Sequence, residues 1–97
     1  MTRRRLPKGW TEGSVEELLG LTAEESAIVE MRVRLSESVR ERRRAKGLTQ
    51  RELARRIGST QPRVAKLEQA GASLEMLMRA LLALGASRKE IARLLGA

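Results

Sequence analysis

The 97-residue chain carries 20 Lys and Arg against 12 Asp and Glu, a formal charge of +8. It has no Cys, His, Phe or Tyr and a single Trp, which excludes a disulfide framework, thiolate or imidazole catalysis and the usual zinc sites; no enzyme, cofactor or metal is expected. The length suits one domain with a small core, to which a second subunit would add burial.

Leu, Ala, Val, Ile and Met supply the apolar side chains, and Pro occurs only twice. Ala and straight-chain residues lose little rotamer freedom in a helix, so the expected fold class is all-α. The charge is unevenly spread. Residues 1–8 hold four basic residues and no acidic one, residues 9–30 six Glu and no Lys or Arg, and residues 31–97 sixteen basic and six acidic residues. A basic body suits a polyphosphate partner, because each phosphate contact releases a condensed counterion. The basic opening Met1–Arg5 is not followed by the apolar stretch of a signal peptide, and no apolar run nears the roughly 18 residues that span a bilayer. The expectation is a cytoplasmic protein that does not enter membranes.

In chain order, Pro7, Gly9 and Gly13 break residues 1–13, which also hold the Arg3-Arg4-Arg5 arm and Trp10. Ser14 with Glu17 forms a capping box that opens a short helix ending at Gly20. Thr22 with Glu25 forms a second box and opens a long helix to about Lys46. Gly47 stops that helix behind Arg42, Arg43, Arg44 and Lys46, cations suited to the negative end of a helix dipole. Ile28, Met31, Leu35 and Val39 recur at helical spacing and predict its core face. Val29 and Val33 form a second stripe roughly 100° around the axis, available to a partner.

Shorter helices follow. Thr49 with Glu52 is a third capping box, for a helix reaching Ile57, with Gly58-Ser59 as the turn. Thr60 caps the next helix, which tolerates Pro62 in its first turn and ends near Gln69, before Gly71. Ser73 caps Leu74–Leu84, with Leu74, Leu77, Met78 and Leu81 on one face. Ser87 with Glu90 opens a last helix whose Ile91, Leu94 and Leu95 turn inward.

The pair of helices from Thr49 to Gln69 meets the demands of a helix-turn-helix. Ala54 is small where the second helix crosses the first, and Gly58 tolerates an unusual turn backbone. Val64 and Leu67 point inward, while Gln61, Arg63 and Lys66 point outward, where they reach base edges and phosphates.

Residues 48–68, LTQRELARRIGSTQPRVAKLE, resemble the helix-turn-helix of the phage-repressor/Cro-like family, also called the Xre type. The likeness lies in Leu48-Thr49-Gln50, Leu53-Ala54, Ile57-Gly58, Gln61 and Val64–Leu67-Glu68; Ser59 departs from it, standing where that family has an apolar residue. With its flanks the resemblance covers about Leu35–Gly96. It implies a phage-repressor-like five-helix domain over residues 22–97, preceded by an N-terminal helical extension, an arm and short helix over residues 1–21. It implies double-stranded DNA as the partner, with Gln61 reading a base edge, most simply adenine N6 and N7. By the same resemblance Gln50 contacts phosphate and buttresses Gln61, and Arg63 reaches guanine or phosphate. Lys66 and Thr60 then contact phosphate, and Arg43, Arg44, Arg51 and Arg55 are secondary phosphate contacts. The alternative for each Arg is a solvated surface charge.

The segment Leu19–Glu25, the long helix after it and Leu81–Ala86 resemble a subset of Xre-type proteins of the HigA kind. These are antitoxins that bind a RelE/HigB-like ribonuclease toxin and, as dimers, repress the shared operon. The resemblance implies a homodimer and a basic toxin partner, toward which Glu12, Glu16, Glu17, Glu24, Glu25 and Glu30 would steer association. The same glutamates also suit the first turns of helices. A stand-alone phage- or plasmid-type repressor and a helical interaction module without DNA binding are the alternatives. For a partner surface, Leu82, Leu84, Ile91 and Leu95 in the last two helices come first, and the Val29/Val33 stripe second.

Overall fold

The computed structural model describes residues 20–96. The helix expected from Ser14, the Arg3–Arg5 arm and Trp10 lie outside the described residues. The expected all-α fold is found: five helices, and no strand among the described residues. They are α1 (Ala23–Ala45), α2 (Gln50–Arg56), α3 (Gln61–Leu67), α4 (Leu74–Ala83) and α5 (Arg88–Leu94).

The caps explain the starts. Thr22, Thr49, Ser73 and Ser87 each accept a hydrogen bond from the backbone N–H three residues on, which satisfies one of the orphan donors of a first turn. Only Thr49 and Glu52 complete a reciprocal capping box among the described helices. At α5 the expected reciprocal partner, Glu90, is instead bonded to Arg42 of α1. That ties the last helix to the first, at the expense of a local cap.

The helix ends share one device. After α1, α2, α3 and α4 a backbone N–H bonds back to the carbonyl five residues earlier: Leu48 to Arg43, Ser59 to Ala54, Gly71 to Lys66 and Ala86 to Leu81, at 2.8–3.0 Å. The residue before each donor is left-handed, as this terminator requires. Three of these are Gly47, Gly58 and Gly85; the fourth is Ala70, at φ 61°. The nearby Gly71 serves a different need, since a Cβ there would lie 3.1 Å from the Lys66 carbonyl oxygen. Left-handed backbone costs an L-residue roughly 1–2 kcal/mol, and glycine's extra chain entropy takes back roughly 0.5–1 kcal/mol. Ala70→Gly is therefore expected to raise stability by about 0.5–1 kcal/mol, read from the urea midpoint; an unchanged or lower midpoint would show that Ala70 is not strained.

α1 packs chiefly against α4, and α2 against α3. Leu35 and Val39 of α1, Leu53 and Ala54 of α2, Val64 and Leu67 of α3, and Leu77, Ala80 and Leu81 of α4 form one core. Two expectations need correction. Ile28, placed in the core by its spacing, is 38% exposed. Leu35 and Val39, further along the same stripe, are fully buried, so the stripe enters the core only in the later turns of α1. Leu84 and Ile91, expected at a partner surface, are core residues only 1% and 7% exposed. The turn at Gly85 folds α5 back toward α4, and both side chains face the fold. Leu95 also leans on the core and is half-buried. Of the partner candidates, Leu82, Val29 and Val33 stay exposed.

Candidate nucleic-acid interface

The geometry of α2 and α3 follows from a few side chains. The Thr49 box fixes the first turn of α2, Gly58 supplies the positive φ of the turn, and Ala54, Val64 and Leu67 close the seam between the two helices. As a result the first residue of each helix meets the other: Gln61 Nε2 donates to Gln50 Oε1 at 2.8 Å. Behind them, Gln50 Nε2 donates to Glu68 Oε1 at 3.3 Å. Glu68, just after α3, is only 6% exposed and is gripped by Arg43 of α1 through two parallel bonds. Arg43 Nε donates to Oε2 at 2.6 Å and Nη2 to Oε1 at 3.0 Å, the fork geometry that suits a carboxylate. Its Nη1 donates to the Leu48 carbonyl oxygen at 2.8 Å.

Arg43 was expected among the phosphate contacts; the structure corrects this. Its guanidinium is buried and turned to Glu68 and Leu48, with each of its three nitrogens bonded inside the fold, so it braces the fold away from the surface a phosphate would reach. The hydrogen bond to Glu68 holds the Arg43 pKa above its ordinary range, and the attraction of the carboxylate adds to that against the opposing cost of burial.

Thr60, Gln61, Arg63 and Lys66 are exposed on or beside α3, Gln50 is half-buried behind Gln61, and Arg44, Arg51 and Arg55 are exposed. Thr60 differs in one respect: its side chain makes no cap bond to α3, so the hydroxyl is not committed there. A cleft of about 280 Å³ lined by Ser59, Arg63, Lys66, Ser73 and Met76 separates α3 from the start of α4. Ion pairs among the described residues join Glu30 to Arg34, Glu90 to Arg42, Glu68 to Arg43 and Glu75 to Arg79. Among the described residues no carboxylate is paired with Arg44, Arg51, Arg55, Arg63 or Lys66. The structure joins Gln50 and Gln61 directly and sets Arg63 and Lys66 along one cleft. No hydrogen bond or ion pair among the described residues ties the side chains of Arg44, Arg51 or Arg55 to that group.

A family model for a helix-turn-helix domain matches residues 16–95. The chain belongs to this helix-turn-helix family. No curated protein and no solved structure gave a match. The match runs over all five helices.

Sequence reasoning gave no role to Glu68 or to its bond with Arg43. The signal was present in the spacing. Arg43 continues the Leu35–Val39 stripe by four residues, and Glu68 stands four residues after the inward Val64. A charge of each sign on an inward stripe calls for a partner.

Proposed function

We propose that the protein is a sequence-specific DNA-binding regulator of transcription, with α3 lying in the major groove. The observation that carries this is the outward side of α3, where Gln61 is held by a directed hydrogen bond and is flanked by the unpaired cations Arg63 and Lys66. A polar side chain at the start of a recognition helix reads base edges, and flanking cations hold the phosphates. Regulation of transcription follows if the site bound lies at a promoter.

The test is selection from a duplex DNA pool with a randomised core, followed by titration of the enriched site over a range of salt. One sequence should be enriched, and log K should fall steeply and linearly with log salt. Arg63→Ala and Lys66→Ala should each flatten that slope by about one unit if the side chain neutralises a phosphate. An unenriched pool, or binding indifferent to salt, would favour a helical interaction module instead.

The same selection examines the oligomer. We infer a homodimer in which α4 meets its copy along Leu74, Met78 and Leu82, which line an open hollow with Glu75 and Arg79. An antiparallel crossing of two such helices sets each Glu75 toward the partner's Arg79, the self-complementarity a two-fold interface needs. The enriched site should then contain two inverted half-sites centred about 34 Å apart. A single half-site would count against it.

A second reading, as the antitoxin of a RelE/HigB-like toxin, is favoured by the start of α1. There Ile28, Val29 and Val33 are exposed beside Glu24 and Glu25, an apolar face with acidic neighbours that suits a basic protein. Co-expression with the product of the adjacent gene should yield a complex that Val29→Glu weakens. Separate elution of the two proteins would leave a stand-alone repressor.

A further inference from the structure

We propose that Glu68, which touches no surface a ligand reaches, determines specificity: acting through Gln50, it fixes which way round Gln61 presents its amide. This rests on α3 being the base-contacting helix.

The polarity of the chain of hydrogen bonds is forced by chemistry. An ionised carboxylate accepts and cannot donate. Gln50 must therefore turn Nε2 toward Glu68, as it does at 3.3 Å, which leaves Oε1 facing α3. That oxygen also only accepts, so Gln61 must turn Nε2 toward it, as it does at 2.8 Å. What remains for an incoming ligand is an acceptor, Gln61 Oε1, on a fixed side, next to one unused N–H on Nε2. Adenine displays the complement in the major groove, a donor at N6 beside an acceptor at N7, whereas guanine displays two acceptors. Were the Gln61 amide free to turn by half a rotation, donor and acceptor would exchange places.

Glu68 can set this polarity because both of its oxygens only accept and its position is fixed. Arg43 holds both of its oxygens, and the pair is shielded from water, with side chains 10% and 4% exposed. The line from Arg43 through Glu68 and Gln50 to Gln61 thus runs from the core to the surface with each donor fixed: Arg43 and Gln50 both donate to Glu68, and Gln61 donates to Gln50. Glu68 is a positioning residue, and its effect should appear at one base pair only.

The test uses the full chain and the duplex enriched from a randomised pool by the wild type, with a panel carrying every single base-pair change. Gln50→Met removes both amide ends but leaves Arg43 and Glu68 paired. Discrimination at one base pair should fall by about tenfold or more, to the level of Gln61→Ala, while ratios at the other positions hold. Glu68→Gln, whose amide offers either end, should lose discrimination at the same base pair and add nothing in the Gln50→Met background. Circular dichroism checks each fold, and should Glu68→Gln not fold, Gln50→Met decides. If Gln50 is only a phosphate contact, affinity drops equally across the panel and discrimination survives, which overturns the inference alone. A wild-type chain that enriches no sequence overturns the DNA-binding function and this inference with it.

Discussion

Arg43→Ala is expected to destabilise the fold by about 3–5 kcal/mol, the usual cost of removing one partner from a buried ion pair. Against a total of roughly 5–15 kcal/mol for a small domain, much of the chain would be unfolded or close to it. The cause lies in what is left behind. Glu68 would stay buried without its two guanidinium bonds, and the Leu48 carbonyl would lose its side-chain donor. Replacing both partners has a different outcome, because no charge is then stranded. Arg43→Met with Glu68→Leu should recover most of the loss, as buried pairs replaced by apolar residues commonly do. Urea unfolding of the two variants decides the matter; a loss below about 1 kcal/mol for Arg43→Ala would mean that water reaches the pair. The pair should add no pH dependence on the arginine side near neutrality. A cation whose pKa is raised on folding contributes its full stabilisation below the unfolded value and loses it only as pH climbs through the folded one, and Arg43 starts from the guanidinium range.

The same pair marks the boundary of what the sequence discloses. The five helices from Thr22 onward, four of their capped starts and the motif itself are readable, because each depends on local chemistry: a hydroxyl three residues from a backbone N–H, a glycine where φ is positive, apolar residues at helical spacing. Contacts between distant elements are not. Arg42 and Arg43 look alike at the end of α1, yet one reaches Glu90 of α5 and the other Glu68 beyond α3, so neither simply complements a helix dipole. Leu84 and Ile91 have the composition of a partner surface, and only the fold-back at Gly85 turns them inward. Ile28 errs the other way: its spacing is that of a core residue, but spacing does not tell at which turns of α1 that stripe is covered. At the site, the roles of Gln61 and Gln50 rest on a resemblance; the structure adds the bond between them. The anchor behind them did not come from the resemblance, because a polar residue on an inward stripe acquires meaning only when its partner is known.

Gln61→Ala is expected to weaken binding to the enriched duplex by about 1–3 kcal/mol, roughly the worth of one two-bond contact to a base. The loss should be uneven. Gln61 carries no charge, so the salt dependence of binding should be unchanged, in contrast to Arg63→Ala and Lys66→Ala. Fold stability should hardly move either: the side chain is exposed, and the bond that breaks leaves Gln50 Oε1 open to water. What should change is preference. Sites differing at one base pair should become nearly equal for the variant, while affinity for unrelated duplex DNA, which rests on phosphates, stays as in the wild type. These three readouts separate base recognition from its two rivals. A phosphate contact would lower affinity for all sequences alike, and a structural role would appear in the unfolding curve. Undiminished preference in the alanine variant would move the base-reading role elsewhere on α3, to Arg63 first, the next exposed residue after Pro62 with donors long enough to reach a guanine edge.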